Sequence, residues 1–104
     1  MKHFLVEITY TAPIEKIEYV LPDHRVFLQN GYDRGWLLMS GPLSPRTGGI
    51  VIARAPSLEE LQFFFRQDPY SLQQVATHRM VEFSPVKRQP LVEGWVNGEE
   101  PAGH

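Results

Sequence analysis

The 104 residues suffice for one domain with a single apolar core, but are too few to close a large ligand cavity without a second subunit. Ten Lys and Arg against twelve Asp and Glu give a formal charge of -2 with no basic stripe, which argues against nucleic acid as a partner. The lack of cysteine removes disulfides, thiolate catalysis and zinc-ribbon chemistry, leaves His and carboxylates as the metal-ligand stock, and suits a reducing cytosol.

The opening residues, MKHFLVEITY, alternate instead of forming a signal-peptide core. No later apolar run approaches the ~20 residues needed to cross a bilayer, so the expectation is a soluble, cytoplasmic protein with no membrane partner. In HFLVEITY, Phe4, Val6, Ile8 and Tyr10 share one parity and His3, Leu5, Glu7 and Thr9 the other, which predicts a strand with two unequal faces. After a turn at Thr11 to Pro13, the apolar residues Ile14, Ile17, Tyr19, Leu21, Val26, Phe27 and Leu28 recur at roughly helical spacing until Gly31. Proline in a helix interior costs about 3 kcal/mol, so Pro22 predicts a short turn over 14–20 and a helix that starts near Pro22, with His24 in its first turn.

GWLLMSG and GIVIARA carry continuous apolar runs around PLSPRTG, which predicts a hairpin of two strands buried on both faces. Ser57 followed by Glu60 has capping-box spacing, and Leu58, Leu61, Phe64 and Phe65 form the apolar side of a second helix, with Phe63 also assigned to the core. Pro69 ends this helix after Asp68, and PYSLQQVA allows one more turn. In THRMVEFSP, Thr77, Arg79, Val81 and Phe83 alternate with His78, Met80 and Glu82, which predicts a last strand closed by Pro85. Residues 1–86 thus form the domain, and residues 87–104, with few apolar positions besides Leu91, Val92, Trp95 and Val96, read as an extended or partly disordered tail on which Trp95 could dock.

The order strand, helix, strand, strand, helix, strand fits an α+β, ferredoxin-like βαββαβ fold with an antiparallel sheet and both helices on one face. The opposite face of the first strand, with His3, Leu5, Glu7 and Thr9, is too apolar to leave wet and too polar for a plain core. A homodimer with the two sheets face to face, enclosing partly polar cavities, answers this.

His24 lies three and four residues from Leu21 and Leu28, so it should point inward and needs a polar partner. Asp68, held extended by Pro69, is the natural one: a carboxylate on one ring nitrogen sets the tautomer and raises the basicity of the other. The alternatives are a core-edge histidine satisfied by a backbone carbonyl and an ordinary Asp-Pro turn. Ser40, Gly41 and Pro42 combine a hydroxyl with room for close approach, or simply end a strand. Arg46 could meet an anionic ligand, or be a solvated hairpin tip. His3, His78 and His104 make no metal-ligand spacing with a carboxylate, so no metal site is expected.

HRVFL, GWLLMSGP, PRTGGIVIA and DPY, in this order and covering about residues 2–85, resemble the YciI-like family of small α+β proteins. The resemblance implies a dimeric α/β barrel and an active-site pair at His24 and Asp68, with Ser40, Gly41 and Pro42 beside it. Tyr70 stands where that family often has phenylalanine, adding a hydroxyl near the site. Dehydrochlorination of chlorinated hydroxyquinols, alongside other small-molecule chemistry, is what the resemblance suggests. The expected function is a cofactor-independent enzyme moving a proton on a small molecule through His24 and Asp68, with Ser40, Gly41, Pro42, Arg46 and Tyr70 binding the substrate. The competing expectation is a non-catalytic small-ligand or interaction module with the same cavity.

Overall fold

A computed structural model describes residues 1–100. Strand β1 (Lys2–Tyr10) is followed by helix α1 (Ile14–Asp33), strands β2 (Leu37–Pro42) and β3 (Gly48–Ala55), helices α2 (Leu58–Phe65) and α3 (Pro69–Leu72), and strand β4 (Ala76–Phe83). The strands form one antiparallel sheet in the order β2-β3-β1-β4. This is the α+β, ferredoxin-like order that the periodicities predict. No helix among the described residues is long and apolar enough to cross a membrane.

The parity of β1 decides the sheet's inner face. Phe4, Val6 and Ile8, with Val51 and Ala53 on β3, meet Ile17, Val20 and Phe27 of α1 and Leu61, Phe64 and Phe65 of α2 in one core. Rings of Phe27 and Phe64 stack with centroids 4.6 Å apart where the two helices meet. At Gly31 a Cβ would come within 2.7 Å of Leu37 and 2.9 Å of Phe64, so only glycine lets α1 lie this close to β2 and α2. Ser57 caps α2 as its spacing predicts, its hydroxyl accepting from the Glu60 N–H at 3.2 Å.

Four expectations need correction. The first is that α1 does not start near Pro22: it is one helix from Ile14, with Pro22 inside it. Proline takes away the donor for the Glu18 carbonyl, but both residues lie on the exposed side, where water supplies it. Upstream, Ile17 and Val20 are buried, and burying such side chains contributes about 1.5–3 kcal/mol each, enough to offset the break. The second concerns β2, which is an edge strand buried at Leu37 and exposed from Met39 onward, so it is not covered on both faces. The third is that Tyr19, Val26 and Phe63 face solvent and do not belong to the apolar face.

The fourth is the tail. Its residues 90–96 are helical, a 3-10 turn at Pro90–Val92 running into α4 (Glu93–Val96), where an extended or partly disordered tail was expected. Arg54, almost fully buried on the sheet's outer face, holds this segment down. Its guanidinium donates to the carbonyls of Gly35 at 2.7 Å, Trp95 at 2.6 Å and Glu99 at 2.7 Å. Trp95 docks by donating its indole N–H to the Gly35 carbonyl at 3.0 Å, and His3 Nε2 donates to the Val96 carbonyl at the same distance. His104 lies outside the described residues.

Candidate active site

On α1, Ile17, Val20, His24, Phe27 and Gly31 form the buried stripe, at alternating spacings of three and four. His24 therefore sits in the middle of an apolar seam, where an unpaired imidazole would be costly. Asp68 answers it from the other side: its Oδ1 accepts from His24 Nδ1 at 2.8 Å. The same oxygen accepts the Tyr70 N–H at 3.0 Å, which makes Asp68 the cap of α3. Cap and histidine partner are thus one arrangement. With ψ at 127° before Pro69, the extended backbone of Asp68 aims its carboxylate at both groups.

His78, set aside in the sequence reading, completes the carboxylate. Its Nε2 donates to Asp68 Oδ2 at 2.8 Å, and its Nδ1 lies 3.1 Å from the Ser71 hydroxyl. Asp68 itself is fully buried. Burial pushes its pKa up, but the hydrogen bonds from His24 and His78 and the Tyr70 N–H outweigh this and hold it below the ordinary aspartate value. An ionised carboxylate only accepts, so His24 must carry its proton on Nδ1. Every fully buried side-chain N or O among the described residues has a partner, and His24 Nε2 has none, so Nε2 is at the surface of the cleft that His24 lines. Among the described residues no three His, Cys, Asp or Glu are grouped to hold a metal ion.

That cleft, of about 510 Å³, lies between α1 and the β2–β3 side of the sheet. Six of the seven residues expected at the site line it: His24, Ser40, Gly41, Pro42, Arg46 and Tyr70. Asp68 does not, being sealed behind His24 and Tyr70. The Tyr70 ring lies flat on the imidazole, centroids 3.8 Å apart and planes 8° from parallel, which sets the imidazole's orientation. Burial and the Tyr10 hydroxyl hold the Tyr70 phenol well above its ordinary pKa, so it stays a donor.

Ser40 reaches the cleft through a β-bulge. Leu37 pairs with Ala53 but Met39 with Ile52, and the shift turns Ser40, opposite the buried Val51, to the inner face. There its hydroxyl lies 2.6 Å from that of Tyr32. A Cβ on Gly41 would meet nothing within 4 Å, so its openness serves no contact among the described residues and leaves the wall free. Arg46 is partly committed, donating to Glu18 at 2.6 Å. The sequence reading missed Tyr10, Glu18 and Arg25, which also line the cleft. The spacing of Glu18, Leu21, Arg25 and Leu28 is a helical stripe one step from the buried one, and could have revealed the two charges.

The model of the YCII-related domain matches residues 1–84, most of the chain and all of the sheet. The chain belongs to this family. As a YCII-related protein it is similar in structure to 5-chloro-2-hydroxyhydroquinone dehydrochlorinase from Burkholderia phenoliruptrix AC1100, solved in complex with 2,5-dihydroxybenzoquinone. The TM-score is 0.63 at 16% identity, with 84% of this chain and 92% of that one covered, a likeness that speaks for the fold alone. No match emerges among curated proteins.

Proposed function

We propose that this YCII-related protein is a small-molecule lyase in which His24 Nε2 is the general base, acting on a hydroxylated, chlorinated ring. The observation that carries the reading is the buried Asp68 carboxylate, 2.8 Å from Nδ1, with the opposite ring nitrogen unpartnered at the cleft. Asp68 orients the imidazole and stabilises the cation that forms on it. The Tyr70 and Ser40 hydroxyls bind ring oxygens, and Arg25 and Arg46 outweigh Glu18, favouring a phenolate.

The dehydrochlorinase similar in fold acts on a chlorinated hydroxyhydroquinone, which suggests the chemistry. His24 takes the proton of one ring hydroxyl, the freed electron pair moves through the ring to the chlorine-bearing carbon, which takes up a proton, and loss of a second hydroxyl proton then drives chloride off that carbon. The substrate loses one H⁺ and one Cl⁻ in all and becomes a hydroxyquinone. Chloride carries off the electron pair, so no oxidant or cofactor is consumed.

The outer face of the sheet, with Leu5, Ile50, Ile52 and Val81 partly exposed and Phe83 42% exposed, supports a homodimer with a second copy covering it. Light scattering of wild type and Ile52→Lys tests this, a monomeric wild type refuting it.

For the reaction, chloride release from 5-chloro-2-hydroxyhydroquinone is measured. Wild type is expected to release it, and His24→Gln to lose about 10²-fold or more in rate while still binding 2,5-dihydroxybenzoquinone. Binding by both proteins with release by neither would identify a non-catalytic ligand module.

A further inference from the structure

A second cleft, of about 530 Å³, opens on the far side of Asp68, between the end of α2, α3 and the exposed edge of β4. It shares no lining residue with the first. Its polar wall is made by Gln62, Arg66, Ser71, Gln74 and His78, and Phe65 and Met80 supply an apolar floor. No carboxylate stands among the described residues that line it, and Asp68 is shut behind the His78 ring.

Two further observations mark it as more than a surface dip. Arg66, exposed at the mouth, takes part in none of the ion pairs or side-chain hydrogen bonds among the described residues, so its charge is available there. Gln74, at φ 57°, is the one described non-glycine residue in the left-handed region, a conformation that glycine would take without strain. This conformation closes α3, with the Gln74 N–H donating to the Ser71 carbonyl at 3.1 Å and the Val75 N–H to the Tyr70 carbonyl at 3.0 Å, and it places Gln74 on the cleft wall.

We propose that this cleft is a second binding site, for a small organic acid with a flat apolar body. Its carboxylate meets Arg66 and the amides of Gln62 and Gln74, and its body lies on Phe65 and Met80. The site stands whether or not the first cleft turns over a substrate.

The test is titration of the isotope-labelled full chain with benzoate, followed by backbone and side-chain amide NMR. Benzoate is expected to shift Gln62, Arg66, Ser71 and Gln74 saturably. Benzylamine, the cation of the same shape, is expected to leave them unmoved. Arg66→Ala should weaken benzoate by about tenfold or more, as loss of a charge-assisted contact does. Gln74→Gly, which relieves the backbone and keeps the fold, should weaken it as well. The proposal is overturned if benzoate leaves these signals unmoved or shifts only the first cleft, if benzylamine binds equally well, or if both variants bind like wild type.

Discussion

His24 and His78 grip opposite oxygens of the same carboxylate: Nδ1 of one donates to Oδ1 of Asp68 and Nε2 of the other to Oδ2, each at 2.8 Å. Helix α1 and edge strand β4 are thus tied through one buried charge. An isolated carboxylate there would not stay ionised; three N–H donors, the third from Tyr70, make it stable.

Asp68→Asn is expected to cost about 2–4 kcal/mol in urea denaturation, because an amide turns an N–H toward one of the imidazoles and removes the charge from the other bonds. A loss below about 1 kcal/mol would show that the carboxylate is not what joins these elements. Since the Asp68 pKa is depressed below 3.8, its stabilisation is complete above that pH and disappears as pH falls through the lower folded value. Wild type should therefore lose stability on acidification more steeply there than Asp68→Asn.

Tyr70 divides into ring and hydroxyl. Tyr70→Phe keeps the ring stacked on His24, so stability should change by less than about 1 kcal/mol while 2,5-dihydroxybenzoquinone binds more weakly in equilibrium titration. Tyr70→Ala removes a buried ring and should cost about 3–5 kcal/mol. Unchanged ligand affinity in Tyr70→Phe would remove the hydroxyl from the binding role.

Arg54 donates to three backbone carbonyls, two of them in the tail. Arg54→Met fills the same stem without donors, so the tail should undock and trypsin should cut after Lys87 and Arg88 about tenfold faster, the four-stranded sheet surviving. Arg54→Lys should not rescue it, because one ammonium cannot reproduce a fork that spans three acceptors. Equal cleavage rates in all three proteins would refute the anchoring.

His3 gives the tail a pH dependence. Burial lowers its pKa from 6.5, opposed by the bond to Val96 and assisted by the N-terminal ammonium, Arg54 and Arg88. The folded chain then binds fewer protons at His3 than the unfolded one, so its contribution is full above pH 6.5 and is lost as pH falls through the lower folded value. The urea midpoint of wild type should drop from about pH 7 to about pH 5.5, and His3→Gln should flatten that slope. Identical slopes would assign the pH dependence elsewhere.

Alternation along β1, the Ser57 cap and the Asp-Pro break report how each residue sits on its own element, and they were enough to derive the order of elements and the inner face of the sheet. The inward turn of His24 was readable for the same reason, from Leu21 and Leu28, and Asp68 was readable as its partner from the Asp-Pro break, with an ordinary turn as the alternative that the resemblance to a family weighed against. The continuity of α1 through Pro22 was not readable, since it rests on burial of Ile17 and Val20 against strands far along the chain. The Ser40 bulge was hidden too, because a regular strand would put Leu37 and Ser40 on opposite faces.

His78 shows the limit most directly. In the sequence it is one alternate position of a strand; only its register opposite Ile8 turns it to the inner face and onto Asp68. Local periodicity decided which way each side chain points relative to its own backbone, because steric and hydrogen-bond geometry repeat over a few residues. Which side chains then meet, two imidazoles on one carboxylate and an arginine under the tail, depended on strand register and helix docking, which only the packing of distant segments sets.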